Sequence, residues 1–385
     1  MVMSRELAAA ATRRDVPTWR ERWLNFRNSL IANPRFQNWS ADFPLTRPVA
    51  RKRARAVFDL VAGFVYSQTL LACIELKLFN ILAEGAVSAL GLAPRIGLTV
   101  DATTRLLKGA RAIGLTESLP DGRFGLGQLG AALLGNPSIV AMIEHHRLLY
   151  ADLANPVALL RGERQNSHLK TFWTYAKISN AAESSAEQVH AYSKLMAESQ
   201  QMIAGMALDA YSLAHHTRLL DIGGGDGAFL SEVGRRYDRL DLVLFDLPAV
   251  SALAMDRFSR AGLAARASVV GGDFFKDPLP VGADVASLVR VLHDHDDDLA
   301  LAILRKAHAA LPSGGTLLIV EPMSGIPGAL PIGDTYFGLY LAAMGSGRTR
   351  TFHEIRGLLA QAGFGRPRFV PSRMPMLAGI VTAVA

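Results

Sequence analysis

Apolar residues run unbroken through Leu219–Leu220 to Asp221 and Ile222, give way to glycines at 223, 224, 225 and 227, and resume with helical spacing from Ala228. That pattern predicts strand, tight turn, helix. Downstream, Leu242 to Phe245, Ser268 to Val270, Val285 to Val289 and Thr316 to Val320 read as strands, with helical patterns over Ala249 to Ala261 and Asp297 to Leu311 between them. The alternation predicts an α/β fold, a Rossmann-like, doubly wound, mostly parallel sheet covered on both faces, with ligands at the carboxyl ends of its strands. Upstream the period is helical. Residues 1 to about 45 are polar with a stripe of Trp19, Trp23, Leu24, Phe26, Leu30 and Ile31, interrupted by Pro44 and Pro48. From Ala54 to Leu82 apolar residues occupy every face, as in a helix buried on several sides at a dimer core. Between Gly85 and Gly135 the pattern predicts a winged helix: a short helix, a second over Thr99 to Ile113 with Val100, Leu106, Leu107 and Ala110 inward, then a hairpin from Leu115 to Leu126 around Pro120-Asp121-Gly122. Ala182 to Leu213 reads as one long helix that brings Tyr192, Met196, Met202 and Met206 to a shared face.

Length and composition narrow this picture. A chain of 385 residues, half of them hydrophobic, is expected to form two domains with a large core. The longest apolar stretch, Leu60 to Leu82, is broken by Ser67, Gln68, Glu75 and Lys77, so no transmembrane span is expected, and the first thirty residues lack the apolar region of a secretion signal. A cytoplasmic protein is the expectation. The single Cys73 excludes an internal disulfide, and the neighbouring His145 and His146 point to different faces of a helix, so no metal site is expected. The formal charge of +7 is partly concentrated in Arg47, Arg51, Lys52, Arg53 and Arg55. This run suits a solvated helix start or peripheral contact with an anionic membrane. DNA binding is weakly supported, since the candidate recognition helix offers only Arg105, Lys108 and Arg111.

The glycine turn satisfies the dinucleotide fingerprint through Gly223, Gly225 and Ala228, but Asp221 at the strand end and Asp226 in the loop would repel a pyrophosphate. They would attract a cation. S-adenosylmethionine, with its ammonium and sulfonium, fits better, and Asp246 at the end of the next strand would meet its ribose hydroxyls. After the third strand, Asp273 and Phe274 supply an acid for an adenine amino group and a ring to cover it.

These stretches, with Phe245-Asp246-Leu247-Pro248, Gly271-Gly272-Asp273-Phe274, Leu292-His293-Asp294 and Leu311-Pro312-Ser313-Gly314-Gly315 before Ile319-Val320-Glu321, resemble class I S-adenosylmethionine-dependent O-methyltransferases of the dimeric type with a winged-helix N-terminal domain. Within that family the sequence is similar to the bacterial carotenoid-pathway enzymes, in Phe43 to Pro48, Phe58 to Gln68, Gly333 to Gly338 and Met344 to Arg348. The resemblance implies a homodimer with a helical arm over residues 1–55, a winged-helix-like dimerisation domain over 56–180 and a catalytic domain over 181–385. It implies methyl transfer to a tertiary hydroxyl of an acyclic carotenoid. His293 is the implied general base and Glu321 the acid that orients it. The implied cofactor residues are Asp221, Gly223, Gly225, Gly227, Asp246, Leu247, Asp273, Phe274 and, as a cofactor-side contact, Arg290. Met196, Met202, Tyr336, Phe337, Tyr340 and Met344 would line the path of an apolar substrate.

Two expectations concern acids near the base. Asp294 is expected to cap the helix that follows it. Where relatives carry a second acid, this chain has Thr349 in Gly347-Arg348-Thr349-Arg350-Thr351, and a threonine cannot stabilise an imidazolium by charge. Methylation of a phenol or polyketide, and a winged-helix DNA-binding regulator that senses S-adenosylmethionine, remain open alternatives.

Overall fold

The computed structural model describes residues 17–163, 166–177 and 200–385, which fold as two compact units. One comprises residues up to Leu78 together with Gly85–Gly125; the other comprises Phe79–Glu84 and Leu126–Ala385.

The first unit opens with three helices: α1 (Trp19–Ala32), α2 (Pro34–Asp42) and α3 (Arg47–Glu75). Thr18 and Glu21 form a reciprocal capping box at the start of α1, satisfying N–H groups that the first turn leaves open. Pro34, not Pro44, ends α1, and Pro48 sits in the first turn of α3, where its missing N–H costs nothing. The apolar helix expected over Ala54 to Leu82 breaks after Glu75, where Lys77 takes φ +53°, and a separate helix covers Leu78–Ala83. Nor is α3 buried on several sides within the chain: only Leu71, Cys73 and Ile74 are buried, while Phe58, Leu60, Val61 and Phe64 are exposed. By length and composition α3 is long and apolar enough to cross a membrane, since its most apolar 18 residues reach a mean hydropathy of 1.7 despite Ser67 and Gln68.

The winged-helix outline is present in the helices Ala89–Ile96 and Val100–Ala112 and in the hairpin of β1 (Thr116–Ser118) and β2 (Phe124–Leu126). Val100 is not inward: it is the first helical residue, capped by Thr99, and is 42% exposed, while Thr103 takes the buried position.

The second unit is built on a seven-stranded sheet in the order β5-β4-β3-β6-β7-β9-β8. β3 (Arg218–Ile222), β4 (Asp241–Asp246), β5 (Ala267–Gly271), β6 (Val285–Val289) and β7 (Thr316–Glu321) are parallel; β9 (Gly379–Val384) pairs antiparallel with β7 and with β8 (Gly365–Val370). Order reverses between β3 and β6, the crevice where open α/β sheets bind ligands. The central strands are buried on both faces: Leu220, Ile222, Val243 and Phe245 belong to one core, Leu219, Leu242 and Leu244 to another. Residues 200–210 are helical; the earlier part of the helix expected from Ala182, with Tyr192 and Met196, lies outside the described residues.

Candidate functional site

Register places the first acid. Asp221 lies opposite Ser287 on β6, and the Ser287 hydroxyl donates to its Oδ1 at 2.6 Å. Its other oxygen, Oδ2, is buried and has no hydrogen-bond partner among the described residues. Burial, against the Ser287 bond and with Asp246 nearby, pushes this carboxyl up to about 7. A 1% exposed acid with one idle oxygen wants a cation. The chain allows no side chain between them at Gly224, where a Cβ would stand 2.6 Å from Oδ2.

The turn itself is held by the second acid. Asp246 Oδ2 accepts the Gly225 N–H at 2.7 Å, and its Oδ1 accepts the Leu247 N–H at 2.7 Å. The carboxyl is shifted upward by burial, partly offset by these two bonds. Gly223, Gly225 and Gly227 all have positive φ, and a Cβ at Gly225 would meet nothing within 4 Å, so the turn has an open face. An orphaned buried carboxylate oxygen, an acid pinned to the turn and an open glycine face suit an ammonium-bearing nucleoside.

Asp226 corrects part of the charge argument. Its Oδ2 is paired with Arg257 at 2.5 Å and its Oδ1 accepts the Ala228 N–H, so it is neutralised locally; the preference for a cation rests on Asp221. Asp273 accepts the Phe275 N–H and pairs with Lys276, and these hold its carboxyl below the usual range. Phe274 stands beside the turn, 3.8 Å from where a Cβ of Gly223 would be.

On the other side of β6 the chain makes a 3-10 turn, Leu292–Asp294, that carries His293. The imidazole is 6% exposed. Nδ1 is 2.5 Å from Glu321 Oε2, and Glu321 also accepts the N–H groups of Val291 and Leu292 through Oε1, so one carboxylate at the end of β7 fixes both ring and turn. Asp294 is not a helix cap. Asp296 occupies the N-cap of the Asp297–Ala310 helix, and the Asp294 carboxylate lies 3.2 Å from His293 Nε2. Burial alone would lower the imidazole pKa, but Asp294 and then Glu321 outweigh it and leave it raised. Asp294 thus sets a second carboxylate beside the imidazole, on the ring nitrogen that faces away from Glu321. Thr349 is buried and hydrogen-bonded to the Gly333 carbonyl and the Ser324 hydroxyl.

A brace that the sequence did not disclose is Arg350. Its guanidinium, 3% exposed, donates to the carbonyls of Leu292 and His295 and pairs with Asp297, clamping the histidine turn from outside. Gly347 lies against the same turn, where a Cβ would collide with the His293 carbonyl.

His293 opens into a cavity lined by Met142, Trp173, Tyr336, Phe337, Tyr340 and Met344 and by the polar groups of Arg290 and Asp294. Arg290 holds φ +58°, an uncommon conformation for a side-chain-bearing residue and one that clusters at functional sites. Four of the anticipated substrate residues thus gather here. Met202 does not line the cavity, and its sulfur faces the Ser138 hydroxyl instead; Met196 lies outside the described residues. Met142 and Trp173 were missed because nothing in their local pattern separates them from core. The tyrosines are tied from behind: Tyr340 to His145 Nε2 at 2.8 Å and to the Trp173 indole N–H at 3.1 Å, Tyr336 to His146 Nε2 at 2.7 Å. Both histidines are lowered to about 4, chiefly by burial.

Comparison with known proteins agrees with this geometry. Residues 150–365 match the O-methyltransferase domain and residues 58–136 the O-methyltransferase dimerisation domain. Demethylspheroidene O-methyltransferase from Cereibacter sphaeroides is 44% identical over 357 residues, 92% of this chain and 93% of that protein. The protein of the same name from Rhodobacter capsulatus is 41% identical, covering 94% of this chain and 89% of that one. The crystal structure of human N-acetylserotonin methyltransferase in complex with SAM superposes with a TM-score of 0.71 at 26% identity, over 86% of this chain and 97% of that chain. An enzyme is the outcome. The chain belongs to the O-methyltransferase family, as an S-adenosylmethionine-dependent O-methyltransferase with a class I methyltransferase fold and a dimerisation domain.

Proposed function

We propose that this enzyme methylates a tertiary hydroxyl of an acyclic carotenoid, with His293 as general base. The observation that carries this reading is a buried imidazole, held between two carboxylates, facing a cavity whose walls are aromatic rings and thioethers. The relatives named for demethylspheroidene, at 44% and 41% identity, support the substrate class.

Asp221 would receive the ammonium of S-adenosylmethionine, Asp246 its ribose hydroxyls, and Gly223, Gly225, Gly227 and Leu247 its backbone-facing edge. Asp273 and Phe274 would take the adenine, with Arg290 on the side toward the substrate. When bound, S-adenosylmethionine supplies a methyl carbon that the hydroxyl oxygen attacks in line with the departing sulfur. The protein's own part is proton management. Nδ1–H donates to Glu321, leaving Nε2 to accept the hydroxyl proton at the cavity wall. Asp294 and Glu321 then stabilise the imidazolium. A tertiary alcohol is far less acidic than a phenol of pKa about 10, so histidine cannot ionise it beforehand. Proton loss accompanies or follows carbon–oxygen bond formation, and holding the reactants in place supplies much of the acceleration. Tyr336, Phe337, Tyr340 and Met344 would hold the polyene.

Assembly as a homodimer through the dimerisation domain completes the reading, as does peripheral contact with an anionic membrane, where such a substrate resides. The deciding experiment incubates the protein with labelled S-adenosylmethionine and a panel of hydroxylated acyclic carotenoids and phenols. Transfer to the carotenoid tertiary hydroxyl is expected to dominate. Transfer confined to phenols would overturn the substrate assignment and leave the base assignment standing.

A further inference from the structure

The charge of this protein is not spread over it. Residues 17–57 hold nine arginines and lysines against only Glu21 and Asp42, a formal +7 equal to that of the whole chain, so the remaining residues together carry no net charge. The same stretch holds three of the four tryptophans.

The structure shows where those rings point. On α1, Trp19, Trp23, Phe26 and Leu30 recur at steps of four, three and four, which aligns them on one face. That face is outward: they are 79%, 54%, 59% and 38% exposed. The inward stripe of α1 is a different set, with Leu24 and Ile31 partly buried. Trp39 on α2 and Phe43 at its C-cap are likewise exposed and stack on each other with centroids 5.1 Å apart. At the start of α3 the residues Arg51, Lys52, Arg53 and Arg55 are all exposed. The match to the dimerisation domain begins at residue 58 and takes in the exposed Phe58, Leu60, Val61 and Phe64 of α3. The aromatic and basic surface before it lies outside that domain.

We propose that residues 17–57 form a docking surface for an anionic lipid bilayer. Tryptophan and phenylalanine rings favour the boundary between headgroups and acyl chains, and arginine and lysine beside them are attracted to anionic headgroups. Neither signal alone holds a protein firmly at a membrane; together they do. This names the surface for the membrane contact proposed above and rests on that reading only for the reason a membrane is visited. Binding itself needs no substrate.

The test is flotation of the full-length protein with vesicles of neutral phosphatidylcholine or of phosphatidylcholine containing roughly a third phosphatidylglycerol. Partition is expected to be at least about tenfold higher on the anionic vesicles and to fall as salt is raised. A Trp19→Ala/Trp23→Ala/Phe26→Ala variant and an Arg51→Glu/Arg53→Glu variant should each lose most of it, while keeping the dimer by sedimentation and methyl transfer to detergent-dispersed substrate. Because these side chains are exposed, both variants should fold. Equal partition on the two vesicle types, unchanged partition of both variants, or loss of the dimer in either one would overturn the proposal, the last by assigning the surface to a second copy. Failure of methyl transfer with lipid binding intact would instead count against the substrate reading.

Discussion

Three buried or half-buried histidines in the same structural unit carry opposite instructions. His293 lies between Glu321 and Asp294 and has its pKa raised; His145 and His146 lie against the hydroxyls of Tyr340 and Tyr336 and are lowered to about 4. Burial pushes all three toward the neutral form. The partner decides the outcome: a carboxylate favours the imidazolium, whereas a phenol that is itself buried favours nothing but a neutral acceptor. One histidine is therefore placed so that the imidazolium it forms on taking a proton is stabilised. The other two serve as fixed hydrogen-bond partners that turn the tyrosine hydroxyls into the protein and leave ring faces for the cavity.

The hardest blow to this contrast is His293→Ala, for which we expect turnover roughly 10²- to 10⁴-fold lower with S-adenosylmethionine binding retained by calorimetry. Unchanged turnover would remove the distinction between the histidines. Next, Asp294→Asn should move the acidic limb of the kcat/KM profile to lower pH. In the parent enzyme that limb should lie above 6.5, because the raised pKa keeps His293 protonated, and idle as a base, to higher pH. A limb unmoved by Asp294→Asn would return Asp294 to a structural role.

Stability should separate the two kinds in opposite directions. For His145 and His146 the unfolded chain binds protons before the folded one does, so stability drops as pH falls from about 6.5 toward about 4. At about 1.4 kcal/mol for each pH unit, the loss is at most about 3.5 kcal/mol per histidine. The His293 contribution is present in full below its unfolded pKa and is lost as pH rises through its raised folded pKa. In denaturant titrations against pH, the stability difference between parent and His145→Phe should rise with pH, whereas that between parent and His293→Phe should fall with pH. The smallest effect is assigned to Tyr336→Phe, which leaves His146 without its phenol and should cost about 1–3 kcal/mol of stability while changing kcat little. A large fall in kcat would make Tyr336 part of the proton chemistry.

Much of the sheet was legible in the sequence because its strands are buried on both faces and so appear as unbroken apolar runs; Val285–Val289 matches residue for residue. The glycine turn and Asp246 were legible because positive φ and strand ends leave local marks. What failed was partner choice. Asp294, Asp296 and Asp297 are equally good caps on paper, and only three-dimensional placement shows that Asp296 occupies the N-cap while Asp294 turns back to His293. Asp226 and Arg257 are 31 residues apart, and Arg350 reaches the Leu292 carbonyl across 58, distances at which no periodicity speaks. The exposure of α3 is a related case. Its apolar faces read as buried from composition, yet Phe58, Leu60 and Phe64 are exposed among the described residues.

The lone oxygen of Asp221 has a consequence for how the enzyme meets its surroundings. Burial raises that carboxyl well above the usual carboxylate range, so acid favours its neutral form. A positively charged donor beside it favours the ionised form, so uptake of the methyl source is coupled to release of acid. Mild acidification would then weaken the grip on the donor as well as silence the base, and the enzyme would fade from both ends of its reaction at once.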